Sequence, residues 1–295
     1  MNIVGLGQCG CNIAKCFEQY SQYNIYYINT EEIKSKDYLF PEQEYYVGSE
    51  KVNIGKTHIM PEQGSHEEYE ESCPDFSKFF KKVKGEVFFI VGGSGAISGA
   101  ALRILEYIKH CDITIIYVKP ELALLSEKRT LRERATYSIF QEYTRSGVFK
   151  DMYIFNNPDL EKLIPDITIY NQYEKLNELI SFSLHMINVF DNVKPVISTV
   201  SDFADITRIG TMGSFDIEKN LETFYFPLDN ISEKRYYYAV PEKQLKEDTE
   251  LFRTITDQVK DRAKEENVKV SYMVHSTEYP QTHCYVVAKS SQIQK

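Results

Sequence analysis

Two clusters of glycine in this chain could hold an anion. Gly5-Leu6-Gly7-Gln8-Cys9-Gly10 satisfies the spacing Gly-x-Gly-x-x-Gly, and Gly92-Gly93-Ser94-Gly95-Ala96-Ile97-Ser98-Gly99 is a longer run of the same kind. Glycine lets backbone N–H groups approach a phosphate closely, and a helix starting at such a loop adds positive potential. Successive N–H groups of the second run make an anion nest, with the Ser94 and Ser98 hydroxyls as further donors. The first motif alone suits a dinucleotide, with Glu31 placed for a ribose, but it also suits a mononucleotide or a plain tight turn. A dehydrogenase needs one such loop; a nucleoside triphosphate gripped from two sides needs two. A third stretch, Gly48-Ser-Glu-Lys-Val-Asn-Ile-Gly55-Lys56-Thr57, has six residues between its glycines where a P-loop has four. It reads instead as a Gly/Lys loop able to meet a terminal phosphate.

The remaining reactive side chains form few constellations. Asp202-x-x-Asp205 reads most simply as a pair of surface acids capping a helix. The six histidines (58, 66, 110, 185, 275, 283) are scattered, and no Ser/His/Asp or Cys/His arrangement is evident. Cys9, Cys11 and Cys16 crowd the start of the chain, but no second pair or nearby histidine completes four metal ligands. Reduced, packed thiols of a cytoplasmic protein are the expectation.

These residues need a scaffold, and the hydrophobic pattern supplies one. Short apolar runs at Asn2–Gly5, Ile25–Asn29, Val87–Val91, Ile113–Val118 and Met152–Phe155 read as strands, each closed by Gly, Pro or Asn. Helical spacing appears over Asn12–Tyr20 and Gly99–His110. Strands alternating with helices predict right-handed βαβ units and a mainly parallel, Rossmann-like sheet. From Tyr173 one long helix follows, with Leu176, Leu179, Ile180, Leu184, Ile187 and Phe190 on one face. Beyond a strand at Val196–Val200, the pattern predicts a helix near 216–226, a strand at Tyr236–Val240, one charged helix over 243–266, and strands at Val268–Val274 and His283–Ala288. The fold class is therefore α/β, with a nucleotide-binding domain over 1–172, a central spacer helix and following segment over 173–198, and a smaller α+β domain over 199–295. The balance of 34 basic and 43 acidic residues gives a net charge of −9, which argues against direct binding to nucleic acid. No run approaches the roughly 20 apolar residues of a membrane span.

Several motifs resemble the tubulin/FtsZ superfamily, in family order. Gly7-Gln8-Cys9-Gly10 is similar to the first nucleotide loop of tubulin, with Asn12 at the position of the FtsZ loop asparagine. Ile28-Asn29-Thr30-Glu31 resembles the Val-Asn-Thr-Asp of FtsZ. Gly93–Gly99 resembles the Gly-Gly-Gly-Thr-Gly-Thr-Gly signature, departing from it at Ser94, Ala96 and Ile97. Asn156-Asn157-Pro158-Asp159 resembles the guanine-reading asparagine loop, and Tyr173 and Asn177 resemble tubulin's base-stacking tyrosine and guanine-reading asparagine. Asp202-Phe203-Ala204-Asp205-Ile206 is close to the Asp-Phe-Ala-Asp-Val of the FtsZ synergy loop, and Cys284–Ala288 resembles the last strand of its second domain. The divergence is most like that of the plasmid- and phage-borne TubZ-type branch.

That resemblance implies a GTPase fold and a set of residues. Gly7, Gln8, Cys9, Asn12, Asn29, Glu31, Gly92, Gly93, Ser94, Gly95, Ala96, Ile97, Ser98, Glu127, Asn156, Asn157, Tyr173 and Asn177 would hold GTP or GDP. Mg²⁺ would accompany the triphosphate, held mostly by phosphate and water, with Gln8 the nearest protein candidate. Asp205 and Asp202 would be catalytic, completing the pocket of a neighbouring subunit and orienting its attacking water. A head-to-tail interface that does not close propagates as a filament. The resemblance further implies segregation or positioning of a plasmid or phage genome through a DNA-binding adaptor at a centromere-like site. An NAD(P)-dependent oxidoreductase on Gly5–Gly10, and a tubulin-like scaffold that does not hydrolyse, are the alternatives.

Overall fold

The computed structural model describes residues 1–33, 55–265 and 267–295, so most of the Gly48–Thr57 loop lies outside the described residues. The chain divides into two compact units, Met1–Ser138 and Ile139–Lys295.

The first unit contains β1 (Asn2–Leu6), α1 (Gly7–Lys15), β2 (Asn24–Asn29), β3 (Lys56–Ile59), α2 (His66–Glu71), β4 (Glu86–Gly92), α3 (Ala101–Glu106), β5 (Asp112–Lys119) and the start of α4 (Glu127–Arg145). Its strands run in the order β3-β2-β1-β4-β5, and all four pairings are parallel. Such a sheet is covered on both faces, which explains the near-continuous apolar runs of β1, β4 and β5. Every residue of β1 is buried, as are all but the first of β5. The strand order reverses between β1 and β4. Successive connections leave these neighbours toward opposite sides, which opens a crevice at their carboxyl ends. Both glycine clusters lie at those ends.

The second unit contains β6 (Asp151–Asn156), α5 (Asn157–Glu161), α6 (Gln172–Asn192), β7 (Ile197–Ser198), β8 (Ile209–Asp216), β9 (Leu221–Phe224), β10 (Glu233–Pro241), α7 (Glu242–Glu247), α8 (Leu251–Glu265), β11 (Lys269–Thr277) and β12 (His283–Ser290). The strand order is β6-β8-β12-β10-β11-β7, with β9 also paired to β8. Here parallel and antiparallel pairs mix, as an α+β layout requires. Its core packs Phe215, Tyr236, Tyr238 and Val286 of the sheet against Leu251 and Ile255 of α8. The apolar stripe of α6 is buried at Leu176, Ile180, Leu184, Ile187 and Phe190, as its spacing predicts.

Four local expectations are corrected. Residues 216–226 form a hairpin and no helix. The Asp216 carboxylate accepts hydrogen bonds from the Glu218 and Lys219 N–H groups, and Asn220 takes a left-handed φ of 52°, which turns the chain back into β9. The helix expected over 243–266 is two, because Asp248 Oδ1 accepts from the N–H groups of Glu250 and Leu251 and starts α8 afresh. The first helix starts at Gly7, before Asn12, and gives way to a 3₁₀ turn at Cys16–Gln19. Residues 127–145, to which no element was assigned, form α4.

Candidate functional site

At the carboxyl end of β1 the chain enters α1 through Gly7, whose φ of +68° lies in the left-handed region that glycine adopts without strain. The N-cap residue is Leu6, which has no side-chain acceptor, and the first turn of α1 contains no acid. The leading N–H groups of this helix therefore have no N-cap side chain, and no acid of its own first turn offsets its positive end. A polar chain borders it: Asn29 Nδ2, at the end of β2, donates to Gln8 Oε1 at 3.3 Å, and Gln8 Nε2 donates to Asn12 Oδ1 at 2.9 Å. Glu31 follows β2 and is exposed.

The second loop leaves β4 at Gly92 and passes through a 3₁₀ turn, Ala96–Ala100, into α3. The two loops touch. A Cβ on Gly92 would stand 3.3 Å from the Cβ of Cys9, and one on Gly7 would stand 2.8 Å from Ile97 Cγ2. Several glycines are required by this packing and not by an anion. A Cβ on Gly10 would collide with the Ile90 carbonyl, one on Gly93 with the Tyr117 hydroxyl, and one on Gly99 with the backbone of His66. Gly95 differs, since its Cβ would meet only Ile97 Cγ2, at 3.9 Å.

Ser98 corrects the expectation of an outward hydroxyl donor. Its side chain is buried, and its Oγ–H is turned onto the loop's own carbonyls, 2.7 Å from Gly95 and 3.3 Å from Gly93. Its N–H also donates to Gly95, at 3.3 Å. His66 Nε2 lies 3.0 Å from both the Gly95 carbonyl and Ser98 Oγ. Burial holds the His66 pKa below the ordinary range despite the bond to Gly95. The neutral ring is thus the form that supports the loop. His66 itself opens α2, which begins with a reciprocal cap: Ser65 Oγ accepts from the Glu68 N–H, and Glu68 Oε2 accepts from the Gly64 N–H.

The inner face of α4 holds the loop from below. Tyr117 donates to the Glu133 carbonyl and carboxylate, Glu133 pairs with Lys119 at 3.5 Å, and Lys119 lies 3.6 Å over the ring of Tyr137. At the other end of α4's early turns, Arg129 Nη2 donates to Ser94 Oγ at 3.2 Å. Lys128 and Arg132 both donate to the Gly64 carbonyl. Arg129 thus sits on the second glycine loop, and Lys128 and Arg132 on the turn that leads into α2. Sequence reasoning missed them with their helix; the only candidate it named there, Glu127, opens α4 and is exposed. Uncapped amides, an open Gly95 and Arg129 give a place suited to a polyanion.

Among the described residues no group of three or more His, Cys, Asp or Glu could hold a metal ion. Gln8 Oε1 is already engaged by Asn29. Burial pushes the Cys9 and Cys11 thiols up to about 12, so neither is a thiolate at neutral pH.

The other candidates fall in the second unit. Asn156 ends β6 and its side chain donates to Asp159 Oδ2 at 2.6 Å. Asn157 is the first residue of α5, so the asparagine loop is a helix start. Gln172, at the start of α6, donates to Glu161 of α5 and brings Tyr173 toward this turn. Tyr173 is 69% exposed, and Asn177 lies one turn further along. Asp202 and Asp205 lie between β7 and β8, both exposed, and neither carboxylate has a partner among the described residues. Their loop is tied to the far end of α6: Arg235 donates to the Ser201 carbonyl and pairs with Asp191 at 3.7 Å. From residue 173 to residue 191 the helix advances roughly 27 Å at about 1.5 Å per residue. The acids and the Tyr173 turn are thus at opposite ends of α6.

No family model and no curated protein sequence matches the chain. Solved structures do. An empty FtsZ dimer from M. jannaschii is 13% identical with a TM-score of 0.69, over 99% of this chain and 88% of that one. A GDP-form TubZ protofilament from Bacillus thuringiensis serovar israelensis is 13% identical with a TM-score of 0.67, over 98% and 86%. A GTPγS-bound protofilament of CetZ2 from Haloferax volcanii is 12% identical with a TM-score of 0.71, over 97% and 92%. The fold is that of the tubulin/FtsZ superfamily.

Proposed function

We propose that this chain binds a guanine nucleotide, hydrolyses GTP and assembles head to tail into filaments. The observation that carries the proposal is the separation within the second unit. Two exposed acids, without a partner among the described residues, stand at one end of α6, and the residues suited to hold a base stand at the other. Such acids cannot serve their own chain's nucleotide across that length, and they can serve a neighbour's. In this reading Gly7, Gln8, Cys9 and Asn12 and the Gly92–Ser98 loop hold the phosphates. Asn29, Glu31 and Glu127 add to the hold on the nucleotide, Asn156, Asn157, Tyr173 and Asn177 hold the base, and Asp205 with Asp202 orients water in the next subunit. Ser98 contributes by shaping the loop. Mg²⁺ would be held by phosphate and water and would neutralise charge on the triphosphate. Residues 1–172 then bind nucleotide, 173–198 span, and 199–295 activate. The likeness to GDP-form and GTPγS-bound protofilaments supports the nucleotide class and self-association. The likeness to TubZ supports, as the finer reading, positioning of a plasmid or phage genome through a DNA-binding adaptor.

The test is phosphate release and light scattering with GTP and with ATP, over a range of protein concentrations. Turnover per molecule should rise steeply above a critical concentration with GTP only. Asp205→Ala should bind GTP and assemble without turnover. A rate per molecule constant down to nanomolar protein would end the shared-site reading, and equal use of ATP would end the guanine assignment.

A further inference from the structure

The acidic loop is held by side chains that no motif marked. Glu233, at the start of β10, is 5% exposed. Its Oε1 accepts from the Ala204 N–H at 2.7 Å and from Thr207 Oγ1 at 2.9 Å, while Oε2 pairs with Lys269 at 3.0 Å. Lys269 also donates to the Asp202 carbonyl at 3.3 Å. Phe203, between the two acids, lies 4.1 Å from the Arg235 guanidinium and 4.2 Å from the Lys289 ammonium. Lys289 is itself buried and paired with Asp151 at 2.5 Å. The loop is thus gripped from the sheet at four positions: Ser201 through its carbonyl, Phe203 through its ring, Ala204 through its N–H and Thr207 through its hydroxyl. Asp202 and Asp205 are exposed.

We propose that Glu233 is the positioning residue of the acidic loop, fixing its backbone through the Ala204 N–H and Thr207 so that both carboxylates are presented in one geometry. This rests on the proposed function in taking Asp202 and Asp205 as the acids that act on a neighbour's nucleotide. Burial raises the Glu233 pKa, but the Ala204 N–H, Lys269 and Thr207 outweigh it, and the carboxyl stays below its ordinary range. A charged acceptor on a backbone N–H makes a strong, directional hold. Nothing else among the described residues accepts from the Ala204 N–H. Since a displacement of about 1 Å in a catalytic constellation can cost roughly 10²-fold in rate, a loosened loop should be visible in turnover before it is visible in binding.

The experiment compares Glu233→Ala, Glu233→Gln and Thr207→Val with the wild type. The readings are turnover per assembled subunit, GTP affinity below the assembly threshold, and hydrogen exchange at the Ala204 amide. Glu233→Ala should bind GTP as the wild type does, expose the Ala204 amide to exchange, and lose turnover by roughly tenfold or more. Glu233→Gln keeps an acceptor at Oε1 and should recover most of the protection and turnover while losing the ion pair with Lys269. Thr207→Val, which tests the grip even where Glu233→Ala does not fold, should lose turnover severalfold. Wild-type turnover in Glu233→Ala or in Thr207→Val would overturn the proposal. So would equal losses in the alanine and glutamine variants, which would make Glu233 only a partner of Lys269. A wild type without guanine-nucleotide turnover would refute the proposed function, whereas an Ala204 amide unprotected in the folded wild type would refute this inference alone.

Discussion

Gly10 and Gly95 belong to glycine clusters of similar composition, and the structure separates what each does. Gly10 sits in α1 with its missing Cβ aimed at the Ile90 carbonyl, so Gly10→Ala must lift the helix from β4. Overpacking of this kind costs about 1–3 kcal/mol. At roughly 2–4 °C per kcal/mol for a domain of 150–250 residues, the melting temperature should fall by several degrees. Gly95 has φ −78° and ψ 145°, ordinary extended backbone, and a Cβ there would make only an ordinary contact with Ile97 Cγ2. Gly95→Ala should leave stability unchanged or raise it by about 0.4–1 kcal/mol, because alanine restricts the unfolded chain. The same methyl stands on the open side of the loop, where the phosphates are proposed to lie. Nucleotide affinity should therefore drop by roughly tenfold, and further in Gly95→Val. The assay is thermal unfolding without nucleotide, paired with calorimetric titration by GDP well below either melting point. The two variants should move in opposite senses, one losing stability and the other losing ligand. Gly95→Val with affinity within twofold of wild type would show that this loop does not face the phosphates. Gly10→Ala with an unchanged melting temperature would show that the α1–β4 contact is not as tight as described.

Two further outcomes concern buried charge. Lys119→Met strands Glu133, whose side chain is 1% exposed, without its cation, and should cost about 3–5 kcal/mol in chemical denaturation; a loss under about 1 kcal/mol would refute the energetic role of the pair. His185 on α6 is held by burial at about 4, below its ordinary 6.5, so the unfolded chain takes up this proton first as pH falls. Its contribution is complete above about pH 6.5 and declines toward pH 4, by at most about 3 kcal/mol, and His185→Asn should flatten that part of the pH–stability curve.

The first unit was legible because its strands are buried on both faces and spell themselves as apolar runs closed by glycine, proline or asparagine. Its helix α4 was not. The residues it buries, Glu133, Thr136, Tyr137, Phe140, Gln141 and Thr144, recur at the spacing of a helix face, but four of the six are polar. A search for apolar periodicity passes over a face that binds by hydrogen bonds. With α4 went Arg129, Lys128 and Arg132. The glycine clusters were found, but spacing alone could not tell Gly10, set by the Ile90 carbonyl, from Gly95, which nothing crowds. Ser98 read as a donor to ligand because its type and position allow it; only packing shows its hydroxyl spent on Gly93 and Gly95. In the second unit, Asp216 and Asn220 carried a hairpin signal inside an apparent helix, and Asp248 marked a restart. Both are single-residue events that a broad pattern averages away.

The place of β1 between β2 and β4 also sets the order in which this molecule can come into being. Asn2 pairs with Asn24 on one side and Val87 on the other. The first neighbour follows it by only 22 residues, the second by 85. At about 5–20 residues per second of synthesis, β1 waits on the order of 4–17 s for the strand that covers its second edge. During that interval one glycine loop exists without the other, and an apolar strand has an open edge of the kind that chaperones cover. The arrival of β4 then covers that edge and brings the second glycine loop beside the first in a single step.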